Sequence, residues 1–77
     1  MTIRYRNRLT RDHVGRRVVV RRWVEDDDRG LVPSDVLGIL EGWRNDGVLE
    51  VRTRHGDLIE VHERHILAAK TVPRSIG

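Results

Sequence analysis

Leu49-Glu50-Val51-Arg52-Thr53-Arg54 sets apolar or β-branched side chains in strict alternation with charged ones. A period of two is that of an extended strand with one face toward a core and the other toward water. The wet face holds Glu50, Arg52 and Arg54, so it offers both signs of charge to the strands beside it. Turn chemistry brackets the segment. Arg44-Asn45-Asp46-Gly47 precedes it and His55-Gly56 follows it, both with residues that accept the positive φ of a tight hairpin. Beyond the second turn, Ile59 and Val61 resume the alternation as the core face of a returning strand. The centre of the chain therefore reads as an antiparallel meander.

Upstream, residues 35–43 form the strand that enters this meander, with Gly38 and Gly42 placed where a small barrel bends sharply or lets backbones approach. Residues 25–34 hold three aspartates, a glycine and a proline, and read as a long surface loop. Residues 14–24 form the first strand: Val14, Val18, Val20 and Val24 share the phase expected in the core, while Arg17, Val19, Arg21 and Trp23 take the other. Arg16 and Arg22 fall in the apolar phase, which points to frayed or bulged ends. Downstream, residues 62–65 have the length of a single helical turn, residues 66–72 form a short last strand, and Pro73 stops it. The predicted fold class is all-β: a small SH3-like five-stranded barrel over residues 13–73 with a single helical turn before the last strand, closure removing most exposed edges. Residues 74–77 are a tail. Residues 1–12 are a basic N-terminal arm or an extra strand or turn, since their apolar side chains, Met1, Ile3, Tyr5 and Leu9, do not separate these forms.

Composition agrees with this reading. Sixteen valines and isoleucines against two alanines favour a pleated, half-buried surface over helices. With 77 residues there is room for one domain with one small core, and none for a multidomain enzyme. Charged residues make up 35% of the chain and no apolar run is long enough to span a bilayer, so no membrane association is expected. The absence of cysteine removes disulfides and thiolate metal sites, and no charged-then-apolar leader opens the chain, so a cytoplasmic location is expected.

Charge is unevenly placed. Residues 1–24 carry eight arginines against the single Asp12, although the whole chain is only +3. Fourteen of the fifteen basic residues are arginine, whose planar fork suits phosphate and carboxylate alike. Two readings stay open: a phosphate-binding face that releases counterions on docking, or pairing within the fold to Glu25, Asp26, Asp27, Asp28, Glu41, Glu50, Glu60 and Glu63.

Candidate chemistry is sparse. His62 and His65 lie three apart beside Glu63, but two imidazoles are too few for a metal, and the aspartates at 26–28 lack the spacing of a calcium loop, so no metal is expected. Ser34 has no nucleophile elbow around it, so no catalytic residue is expected either. Trp23, Trp43 and Tyr5 are the only aromatics; clustered, they would make a cage for a methylated cation or a stacking platform for unpaired bases, and apart they would pack in the core or at its rim.

Gly15-Arg16-Arg17-Val18-Val19-Val20-Arg21-Arg22, Asp35-Val36-Leu37-Gly38, Val51-Arg52-Thr53-Arg54-His55-Gly56, Ile59-Glu60-Val61 and Ala68-Ala69-Lys70-Thr71-Val72-Pro73 resemble, in this order, the SH3-like domain at the N-terminus of actinobacterial GNAT-type acetyltransferases. The resemblance implies a non-catalytic accessory barrel whose partner is a C-terminal acetyltransferase domain that binds acetyl-CoA. No cofactor is expected in this chain itself. The family's acetyl-CoA loop, Arg/Gln-x-x-Gly-x-Gly/Ala, has its nearest approach in Arg44-Asn45-Asp46-Gly47-Val48-Leu49, which ends in leucine and reads as a hairpin turn. The alternative is a free-standing module that binds nucleic acid or an acidic protein through Arg16, Arg17, Arg21 and Arg22, with Trp23 or Trp43 beside them. A ring assembled through edge strands, as in Sm-like proteins, is a third option.

Overall fold

The computed structural model describes residues 9–73. Five strands, β1 (Arg17–Asp26), β2 (Gly30–Trp43), β3 (Val48–Arg52), β4 (Leu58–His62) and β5 (Ile66–Thr71), form one antiparallel sheet in the order β4-β3-β2-β1-β5. A single 3-10 turn, Glu63–His65, separates β4 from β5, and a second, Arg11–His13, precedes β1. Among the described residues there is no α-helix, and so none long and apolar enough to cross a membrane. The strand order and the lone turn before the last strand are those expected of an SH3-like small fold.

Among the described residues no second layer covers this sheet, and its core-facing side chains are buried by the curling of the sheet on itself. Val18 and Val20 of β1, Val36 and Leu40 of β2, Leu49 and Val51 of β3, Val61 of β4 and Ala69 of β5 meet in one cluster. Each fully buried valine or leucine here contributes roughly 1.5–3 kcal/mol relative to exposure. Leu9, upstream of the first 3-10 turn, belongs to the same cluster, whereas residues 1–8 and 74–77, with most of the expected arm and all of the tail, lie outside the described residues.

Two bulges set the phase of the strands. Between Leu40 and Gly42 the β2–β3 register shifts by one residue, which turns Trp43 onto the core side although it is out of phase with Leu40. Between Arg21 and Arg22 the β1–β5 register shifts as well, at one of the places where an arginine interrupts the apolar phase.

Two expectations are corrected. Residues 25–34 are not a loop, because β1 and β2 run on as a long hairpin whose turn is only residues 27–29. Asp26 Oδ1 accepts the N–H groups of Asp28 at 2.9 Å and Arg29 at 3.1 Å, and Gly30 takes a φ of +75°, so the turn-forming residues are consumed in one tight reversal. Pro33 is tolerated inside β2 because β2 pairs with β3 only from Ile39 onward, leaving an open edge at the proline. Val14, expected in the core, is 43% exposed, since the chain turns at Gly15, whose φ is +96°, and β1 starts only at Arg17.

Gly38 is where the curl is tightest. A Cβ there would lie well inside contact distance of the Arg52 carbonyl, a backbone group that cannot step aside, whereas at Gly42 it would meet only the tip of the Glu50 side chain. Gly38→Ala is therefore expected to cost about 1–3 kcal/mol, lowering the thermal midpoint by roughly 4–8 °C per kcal/mol, while Gly42→Ala stays within about 0.5 kcal/mol of the parent. Calorimetry of the two variants checks this; equal losses would show that Gly38 is not a close crossing.

Candidate functional site

The sheet's outer face differs from one end to the other. On β2, β3 and β4 it is charged and internally paired. Glu50 and Glu60 stand directly opposite each other, a repulsive arrangement. Arg44 relieves it, its Nη1 lying 2.8 Å from Glu60 and 3.8 Å from Glu50 while its Nη2 reaches Asp46 at 2.8 Å. Arg52 takes Glu41 with both arms of its fork, Nε at 3.2 Å and Nη2 at 3.1 Å. The hydrogen bond from Arg44 holds the Asp46 carboxyl below its ordinary value of 3.8.

Along the β1–β2 hairpin the same face is apolar. The odd-numbered residues pair Arg17 with Ile39, Val19 with Leu37, Arg21 with Asp35, Trp23 with Pro33 and Glu25 with Leu31. Trp23 and Leu37 are each 43% exposed and Leu31 61%. Arg21 and Asp35 neutralise each other in the middle of this stripe, with Nε 2.9 Å from Oδ1 and Nη2 3.4 Å from Oδ2. The signal for this face was present in residues 31–40, where Val36 and Leu40 occupy one phase while Leu31, Leu37 and Ile39 occupy the other; a strand apolar in both phases is covered on both sides or exposes one.

The six sequence-selected residues do not share one surface. Arg17, Arg21 and Trp23 lie on the outer face of β1. Arg16 precedes the strand, exposed, with its carbonyl accepting the Leu40 N–H at 3.0 Å. Arg22 takes the inner phase and is half-buried, and its Nε has no hydrogen-bond partner among the described residues. Trp43 sits at the far end of β2 from the Trp23–Pro33 pair, opposite Leu49, so the two indoles form neither cage nor platform together; Tyr5 lies outside the described residues. Trp43 packs on the core, donates Nε1–H to Glu63 at 3.2 Å and carries the Arg11 guanidinium 5.0 Å from its ring centre.

The ion pairs among the described residues belong mostly to arginines outside the first third of the chain. Of the four selected arginines, Arg21 is the one in such a pair among the described residues. His62 and His65 have ring centres 6.1 Å apart, and His62 Nδ1 already accepts the Arg64 N–H at 3.2 Å. Among the described residues no three His, Cys, Asp or Glu side chains group as metal ligands would.

Comparison with known proteins adds no assignment: no family model matches this chain, and no curated protein or solved structure matches it.

Two measurements test the geometry. Trp23 in a Trp43→Phe variant should be quenched by acrylamide more readily than Trp43 in a Trp23→Phe variant, and the reverse order would misplace both indoles. Asp46 has its pKa lowered on folding, so it adds stability above the ordinary value of 3.8 that is lost as pH falls through the folded value. An Asp46→Asn variant should accordingly lose less stability than the parent in acid denaturation across that range; identical pH profiles would show that the Arg44 contact has no effect.

Proposed function

We propose that this chain is a non-catalytic docking domain that lays the outer face of its β1–β2 hairpin on a partner protein. The partner is a GNAT-type N-acetyltransferase domain, as the sequence resemblance implies, and acetyl-CoA belongs to that partner. The observation that carries the reading is the apolar stripe on the outer face of the β1–β2 hairpin, where Trp23, Leu31, Leu37 and Ile39 are exposed and Val19 and Pro33 lie beside them. A buried indole with an apolar surround and arginine at its margin is the composition of an interface centre. Arg17 supplies the margin, and Arg21 is already matched by Asp35, so burying the stripe leaves no uncompensated charge at its middle.

A nucleic-acid module through the first strand is a weaker reading because its arginines diverge: Arg17 and Arg21 face out, Arg22 faces in, and Arg21 is engaged by a carboxylate. Phosphate recognition calls for several cations along one surface.

Immunodetection of the native protein in its own cells is expected to find this domain joined to, or captured with, a partner on the order of 100–200 residues that transfers acetyl groups from acetyl-CoA. Leu37→Ser with Ile39→Ser, at exposed positions, should weaken that association without unfolding the domain. A native species of 9.0 kDa bound to no acetyltransferase overturns the proposal. Oligonucleotide binding that falls steeply with salt and is lost in Arg17→Glu with Arg21→Glu would put the nucleic-acid module in its place.

A further inference from the structure

A second surface is the backbone edge of β2 on the side away from β1; it shares Pro33 and Leu37 with the docking face but would be read through their main-chain groups and not their side chains. β2 has β1 beside it along nearly its whole length, but β3 reaches only as far as Ile39. Which backbone groups this leaves open follows from the ladder. Leu40 donates its N–H to Arg16 and accepts from Gly15, so the even-numbered residues of β2 bond toward β1. Antiparallel pairing alternates, so odd-numbered residues direct their N–H and C=O groups the other way, toward β3 where it is present. Pro33, which has no N–H to give, is odd-numbered and fits this assignment. Asp35 and Leu37 thus each present a donor and an acceptor, and Pro33 an acceptor, to an edge that no described strand covers.

That edge forms one wall of an open groove of about 380 Å³, within the range of ligand pockets. The facing wall is the β3–β4 turn with Thr53, Arg54 and His55, and the floor includes Ile59, Val36 and Arg22. Arg22, the charged residue in the core-facing phase of β1, lines this groove. Its Nε is shielded from water there without a partner among the described residues, and Arg54 likewise has no ion pair among them. The acidic side chain of the lining, Asp35, is held by Arg21. The groove therefore combines an open strand edge, an apolar floor and uncompensated positive charge.

We propose that this groove receives an extended acidic peptide, which adds as a strand to the edge of β2 at Pro33, Asp35 and Leu37 and sets a carboxylate on Arg22, with Arg54 beside it. Strand addition supplies affinity through backbone hydrogen bonds, and the arginines supply the preference for acid. The chain's own residues 1–8 do not match this site by charge, because they bring Arg4, Arg6 and Arg8 and no carboxylate side chain.

The test is an amide NMR titration of the whole chain with a short blocked peptide of alternating valine and glutamate. The amides of Asp35 and Leu37 should shift and become protected from exchange. Replacing glutamate by glutamine in the peptide should weaken binding about tenfold or more, a change that leaves the protein's own fold untouched. Arg22→Gln and, at the exposed turn, Arg54→Gln should each weaken binding in the same direction. The proposal is overturned if no amide shifts up to roughly millimolar peptide, if the shifts fall only on Arg17, Val19 and Trp23 of the outer face, if the glutamine peptide binds equally well, or if an oligonucleotide but not the peptide shifts Asp35 and Leu37.

Discussion

The close passage of Gly38 over the Arg52 carbonyl is the constraint from which the rest of the molecule follows. With no covering layer among the described residues, the sheet curls around its inward side chains, and a close contact is made where a residue has no Cβ. Bringing the backbones together at this point lets Leu40, Leu49 and Val51 reach Val18 and Val20 across a core that contains no phenylalanine. It also ends the β2–β3 ladder. Beyond Ile39 the two strands part, and the open edge and groove of β2 are what that parting leaves behind.

The bulge at Glu41 completes the arrangement. Had β2 kept its phase, Trp43 would point to the same side as Ile39 and Leu37, and the core would lack its largest side chain. One extra residue turns it inward, and Arg52 holds the displaced Glu41 with a two-pronged ion pair on the outside. Trp43 then joins the two 3-10 turns, with Arg11 from one on its ring and Glu63 from the other on its N–H. These exposed charged contacts are individually weak. Their effect is to give the indole one orientation.

Much of this was legible from residue order, for a local reason in each case. The alternation of residues 49–53, the turns at 44–47 and 55–56, the single turn before β5 and the interruption at Arg22 are all properties of short windows, where backbone preference and burial agree. The reading of 25–34 as a loop failed because it counted strand-breaking residues without their partners. Three aspartates and a glycine suffice for a reversal as short as 27–29, and a proline is excluded only from a strand flanked on both sides. Of the arginines at 16, 17, 21 and 22, only the phase of β1 told which face each occupies; that Asp35 stands beside Arg21 depends on a register that the assumed loop concealed. The GNAT resemblance bears on ancestry and partner, and neither is a property of strand geometry.

The two-stranded part of the β1–β2 hairpin has one further consequence. β5 flanks β1 only from Val18 to Arg22, and β3 flanks β2 only from Ile39 to Trp43, so the tip beyond them is held by a single ladder. Isolated two-stranded hairpins are marginal in water, and regions so supported open at less than the global free energy. The hairpin bearing Trp23 and Leu31 is thus the part of the domain with the most order left to gain, and a partner that covers it would stiffen the molecule as well as bind it.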